Sequence, residues 1–115
     1  MKLSVIIPTY NGERTIERAI KSVLKQSYCE KEILVCDDCS TDNTVEIALK
    51  YNCKVYINEH RTGGPNAGRN VGIKNAKGHY IAFLDQDDEW LPDKLKIQFD
   101  EKSDFTYSRC IKKQE

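Results

Sequence analysis

Short apolar runs at residues 3–7, 32–36, 54–58 and 80–84 alternate with longer stretches of helical pattern, and this alternation constrains the fold more than any other feature. The run Ile33-Leu34-Val35-Cys36 lacks clean two-residue alternation, as expected of a strand covered on both faces. The intervening stretches are long enough to hold a helix, so successive strands can pair in parallel. Right-handed crossovers then give a three-layer, Rossmann-like α/β sheet, mostly parallel, in the order β-α-β-α-β-α-β-α-β. No repeat, linker or low-complexity tract interrupts the pattern, and residues 1–115 read as one domain.

The local signals fill in this frame. Pro8 closes the first strand, and Asn11-Gly12 turns the chain. Ile16, Ala19, Ile20, Val23 and Leu24 recur at helical spacing and predict one buried stripe, with Glu17 and Lys21 paired on the opposite face. Asp42 and Asn43 are capping residues for a helix over 44–51. A third helix over 66–76 ends at Gly78, read as a C′ glycine, and a fourth is expected over 92–99. Phe105-Thr106-Tyr107-Ser108 reads as a last strand, with little chain after it to cover a free edge.

Composition narrows the class. Eighteen basic residues balance eighteen acidic ones, which gives no reason to expect a nucleic-acid or membrane-surface protein. Residues 3–8 are too short for a signal-peptide core, and no apolar run approaches the ~20 residues that span a bilayer. A cytoplasmic protein is the expectation. The five cysteines, an odd number, read as reduced thiols. Cys36-Asp37-Asp38-Cys39 spells C-x-x-C, but it has no second pair for zinc and opens no helix, so small buried residues are the simpler reading.

The chemistry lies in the loops. After the fourth strand, Asp85-Gln86-Asp87-Asp88-Glu89 packs four carboxylates into five positions, where like charges oppose one another. Two readings are open: a solvated acidic turn before a helix, or a divalent-cation site with hard oxygen ligands spaced as Asp-x-Asp. In a parallel sheet the ends of strands 1, 2 and 4 share one side. Pro8-Thr9-Tyr10-Asn11, Asp37-Asp38 and the acidic cluster therefore meet around one crevice. An aromatic ring, paired carboxylates and an Asp-x-Asp suit a nucleotide, although both glycine-rich phosphate loops are absent. Plainer readings stand beside these. Tyr10 is then a strand-end aromatic, Asp38 and Asp42 are caps, and Arg69 is a solvated helix residue. His60 and His79 are ordinary polar residues, and Trp90 packs beneath the acidic loop.

Four ordered blocks carry a family resemblance: Val5-Ile6-Ile7-Pro8-Thr9-Tyr10-Asn11; Val35-Cys36-Asp37-Asp38-Cys39-Ser40-Thr41-Asp42; Gly63-Gly64-Pro65-Asn66-Ala67-Gly68-Arg69-Asn70-Val71-Gly72-Ile73; and the Asp85 cluster with Trp90-Leu91-Pro92-Asp93-Lys94-Leu95. Together they resemble the family 2 glycosyltransferases, which have the GT-A fold. One departure is Cys39, where that family usually has glycine; a small residue is expected to fit there.

The resemblance implies a nucleotide-sugar donor, most often a UDP-sugar, held with Mn²⁺ or Mg²⁺, and inverting transfer to a sugar or lipid-linked acceptor. It places Pro8, Thr9 and Tyr10 at the base pocket, Asp38 at the base N3–H, with Asp37 supporting that loop, and Arg69 near the phosphates. Asp85 and Asp87 match the Asp-x-Asp for ribose and metal, with Asp88 adjoining as a third candidate ligand. The family's general base and acceptor pocket lie well downstream of that strand, and only residues 89–115 follow here. The chain therefore reads as the donor-binding half of a glycosyltransferase, incomplete before the acceptor-binding part. The alternative is a catalytically incompetent nucleotide-binding fragment or assembly remnant, with self-association through the open edge as one way to complete it. A haloacid-dehalogenase-type phosphatase would carry its Asp-x-Asp after the first strand, and a nucleotidyltransferase would need a glycine- and arginine-rich loop there. Neither is present.

Overall fold

A computed structural model of the chain describes residues 2–27, 30–95 and 110–112. In chain order the elements are β1 (Lys2–Thr9), α1 (Ile16–Leu24), β2 (Glu30–Asp37), α2 (Thr44–Ala48), β3 (Lys54–Ile57), α3 (Asn66–Asn75), β4 (Tyr80–Phe83) and β5 (Cys110–Lys112). They form a five-stranded sheet in the order β3-β2-β1-β4-β5. The first four strands are parallel; β5 runs antiparallel to β4, pairing Tyr80 with Lys112 and Ala82 with Cys110. The mostly parallel sheet expected from the sequence is thus found, with β5 as its antiparallel member. The strand expected at 105–108, and the fourth helix beyond residue 95, lie outside the described residues.

Strand residues point alternately to opposite faces, which sorts β1 into two cores. Leu3, Val5 and Ile7 pack with Ile16, Ala19, Ile20 and Val23 of α1, and with Ala48, Trp90 and Leu95. Ile6 faces the other way, with Leu34, Cys36, Ala76 and Ile81, under α3. Leu24, expected on the buried stripe of α1, is 46% exposed. Ser22 is buried in its place: its hydroxyl donates to Ala19 O at 2.8 Å and accepts from Trp90 N at 2.9 Å. Position 24 lies at the edge of the stripe, and there a long-range bond to the Trp90 loop decides which side turns inward.

Two sequence-based expectations change for reasons of close approach. Gly78 is not a left-handed C′ residue: α3 ends with Ala76 in extended geometry, and a Cβ at Gly78 would lie 2.7 Å from Ser4 N. Its bare backbone lets the α3–β4 connection cross β1. Pro8 does not close β1 either, since pairing with β2 runs on through Thr9↔Asp37. What it stops is the other ladder. Leu84 N donates to Ile6 O at 3.0 Å, and the next residue of β1 facing β4 is Pro8, which has no N–H to donate.

Candidate functional site

The strand order reverses direction between β1 and β4, where connections leave toward opposite faces of the sheet. Open α/β sheets form their ligand crevices outside the carboxyl ends of the strands at such a point. Here a crevice of about 280 Å³ is lined by Pro8, Thr9 and Tyr10 after β1, Cys36 and Asp38 after β2, and Asp85, Gln86 and Asp87 after β4. Arg61, Gly64, Pro65 and Gly68 close it from the β3–α3 side.

The loops are stitched across one another before any ligand is considered. Asp37 accepts from the Thr9 hydroxyl at 2.9 Å and from Ser40 N at 2.8 Å, so it supports the loop from below the crevice. Asn11, at φ +47°, accepts from Thr41 N through its side chain at 2.8 Å, and its own N–H donates to Ser40 Oγ. Gly12 N donates to Thr44 Oγ1 at 2.8 Å, and Asp42 accepts from Thr44 N at 2.9 Å. Asp42 thus makes the capping contact at α2, whereas Asn43 makes no side-chain cap bond.

Asp38 is 6% exposed and accepts from Thr62 N, Thr62 Oγ1, Gly63 N and Asn58 Nδ2, all at 3.0–3.2 Å. Burial pushes its carboxyl up, but these donors outweigh it and hold the group below the usual carboxylate range. The guanidinium of Arg61 lies 3.7 Å from the centre of the Tyr10 ring. Both groups expected to meet a base are therefore engaged by one loop, residues 58–63. The ends of strands 1, 2 and 4 were assembled from the sequence pattern; extending the same reasoning to strand 3 would have brought this loop to the crevice.

Asp85 and Asp87 line the crevice mouth and are exposed. Asp88 is not among the lining residues: its N–H donates to Asp85 O in a turn, and its carboxylate accepts from Glu89 N. Arg69 reaches from α3 to within 3.7 Å of Asp85 Oδ1, and its Nε is buried without a hydrogen-bond partner. His60 and His79 are exposed, and His79 Nδ1 accepts from Lys2 N at 3.3 Å. Asp85 and Asp87 line the crevice with hard carboxylate oxygens, and the exposed Asp88 adjoins them. That set suits a metal which completes its shell with water and ligand oxygens. Cys36, with its thiol pushed up to about 11 by burial, is an inert part of the floor.

A family model described as glycosyl transferase family 2 matches residues 4–107. The chain belongs to that family. Among its relatives, this family 2 chain is 48% identical over 99 residues to the UDP-Glc:alpha-D-GlcNAc-diphosphoundecaprenol beta-1,3-glucosyltransferase WfgD of Escherichia coli, covering 84% of this chain and 39% of WfgD. Among solved structures it resembles Staphylococcus aureus TarS 1–349 in complex with UDP, with a TM-score of 0.81 at 44% identity over 88% of this chain and 32% of that one. It also resembles the mannosyltransferase PcManGT of Pyrobaculum calidifontis in complex with GDP-Man and Mn²⁺, at TM-score 0.71 and 26% identity over 81% of this chain and 30% of that one. The GT-A fold follows from these. The chain spans less than half the length of each of these relatives.

Within the family pattern Cys39 needs a different account from size. Its φ is +65°, a left-handed position that glycine adopts freely and other residues adopt at a cost of about 1 kcal/mol. Cys39 carries that backbone strain.

Proposed function

We propose that the chain is the donor-binding portion of an inverting family 2 glycosyltransferase, taking a nucleoside diphosphate sugar, in the first instance a UDP-sugar. The observation that carries this is the meeting of Tyr10, Asp38 and the Asp85/Asp87 pair in one crevice, with the Arg69 guanidinium 3.7 Å from Asp85 Oδ1. Tyr10 stacks on the base, and Asp38 accepts its imide N–H. Because Arg61 covers the ring and Thr62 and Gly63 take up Asp38, the 58–63 loop gives way as the base enters. Asp85 and Asp87 hold Mn²⁺ or Mg²⁺, whose chemistry when bound is to neutralise charge on the departing diphosphate. Arg69 adds fixed positive charge beside the same oxygens. The acceptor is a sugar or lipid-linked hydroxyl in envelope polysaccharide synthesis, and no residue of this chain is assigned to deprotonate it.

The test is calorimetric titration of the chain with UDP, GDP and CMP, with and without Mn²⁺, repeated on Asp87→Ala. Preference for UDP that is strengthened by Mn²⁺, with the strengthening lost in the variant, is the expected result. Equal affinity for all three nucleotides, or indifference to Mn²⁺, would refute the assignment.

A further inference from the structure

The residue between the two aspartates makes contacts unlike theirs. Tyr10 N donates to Gln86 Oε1 at 2.7 Å, and Gln86 Nε2 donates back to Tyr10 O at 3.0 Å. A carboxamide presents one donor and one acceptor side by side, as a peptide edge does, so the pair reproduces a rung of a β-ladder. It stands where the true ladder has stopped, since β1–β4 pairing ends at Ile6↔Phe83 and Pro8 has no N–H to continue it. Tyr10 is the next residue on that edge, and the Gln86 side chain fills the place the departing β4 backbone leaves open.

A second observation is independent of these bonds. A Cβ at Gly12 would lie 2.5 Å from Gln86 Oε1 and 2.6 Å from its Cδ. Gly12 is not at positive φ, so its missing side chain serves to admit the carboxamide. The β1–α1 loop and the acidic loop are thus shaped to each other through this one residue.

We propose that Gln86 is a positioning residue that fixes the span between the Tyr10 platform and the Asp85/Asp87 pair. A nucleoside diphosphate can then meet both ends of the crevice at once. This rests on the donor-binding reading above. A nucleoside alone reaches only the Tyr10 end and does not depend on the span; a nucleoside diphosphate with its cation does.

Gln86→Met removes both bonds at similar volume, whereas Gln86→Glu keeps the acceptor for Tyr10 N and loses the donor. The measured quantities are the affinity for uridine without metal, the factor by which Mn²⁺ strengthens UDP binding, and the exchange rate of the Tyr10 amide. In Gln86→Met the Mn²⁺ factor should fall at least fivefold and Tyr10 exchange should accelerate, while uridine affinity stays within twofold and the melting curve stays cooperative. Gln86→Glu should fall between, and Gly12→Ala should reproduce the loss from the other side. The Gly12→Ala/Gln86→Met double variant should be no worse than Gln86→Met alone, because both changes act on one contact. An unchanged Mn²⁺ factor in a folded Gln86→Met protein, or equal losses for uridine and UDP, overturns the clamp and leaves donor binding standing. A wild-type chain that binds UDP identically with and without Mn²⁺ removes both.

Discussion

Glu32 shows how one buried charge is made tolerable far from the crevice. It is 8% exposed, and its carboxylate accepts from Ser4 Oγ at 2.5 Å, Lys77 N at 2.6 Å and Lys54 Nζ at 2.9 Å. Burial alone would raise its pKa; the Ser4, Lys77 and Lys54 contacts reverse that and bring it down to about 2. A folded-state pKa below the unfolded one means that the ionised form stabilises the fold. The contribution is complete above the ordinary value of 4.5 and is lost as pH falls through about 2. Glu32→Gln should therefore cost up to about 3 kcal/mol near neutrality, with the gap to wild type closing in acid, as urea unfolding at several pH values would show. A gap independent of pH would mean that packing, not charge, is what Glu32 supplies. This network is not legible in the sequence: Glu32 reads as the polar start of a strand, and its partners lie on three other segments.

At the scale of elements, α3 decides how the crevice is floored. Gly68 and Gly72, one turn apart, face the sheet, and a Cβ at Gly72 would lie 2.5 Å from Ile6 Cγ2, a fully buried side chain. Alanine is the better helix former by about 1 kcal/mol, yet overpacking of this kind costs about 1–3 kcal/mol. Gly72→Ala should therefore lower the urea midpoint; a higher midpoint would show that α3 does not ride this close to β1. Strands β1 to β4 were legible in the sequence because parallel strands buried on both faces leave plain apolar runs, and α1 because its stripe recurs at 3.6 residues. Less legible were features set by contacts distant in sequence. Nothing near Gly78 announces Ser4, nothing near Leu24 announces the Trp90–Ser22 bond, and nothing near Asp38 announces Thr62. Of the residues singled out in the sequence, Pro8, Thr9, Tyr10, Asp38, Asp85 and Asp87 line one crevice, which Arg61 and Gln86 also line, whereas the Asp88 carboxylate accepts from Glu89 N.

For the molecule as a whole, a ligand seated at the reversal of strand order touches loops from four strands, so its binding should register in global unfolding. At a hundredfold excess over Kd, UDP with Mn²⁺ should add about 2.7 kcal/mol of stability, read as a rise in Tm that Asp87→Ala diminishes. No rise at saturating ligand would contradict the proposed site. The two sides of the sheet are also unequal. Among the described residues, the α1 side sets long aliphatic chains and Trp90 against β1, while the α3 side offers Ile6, Leu34, Ile81 and the small Cys36 and Ala76. Among the described residues fewer buried apolar side chains lie on the α3 side, so α3 is expected to be the layer that opens at lower free energy. Arg69 and Gly68 travel with it, whereas Tyr10 and the acidic pair belong to the firmer body. A donor lying across the gap would act as a rivet, lending the weaker layer the steadiness of the stronger one.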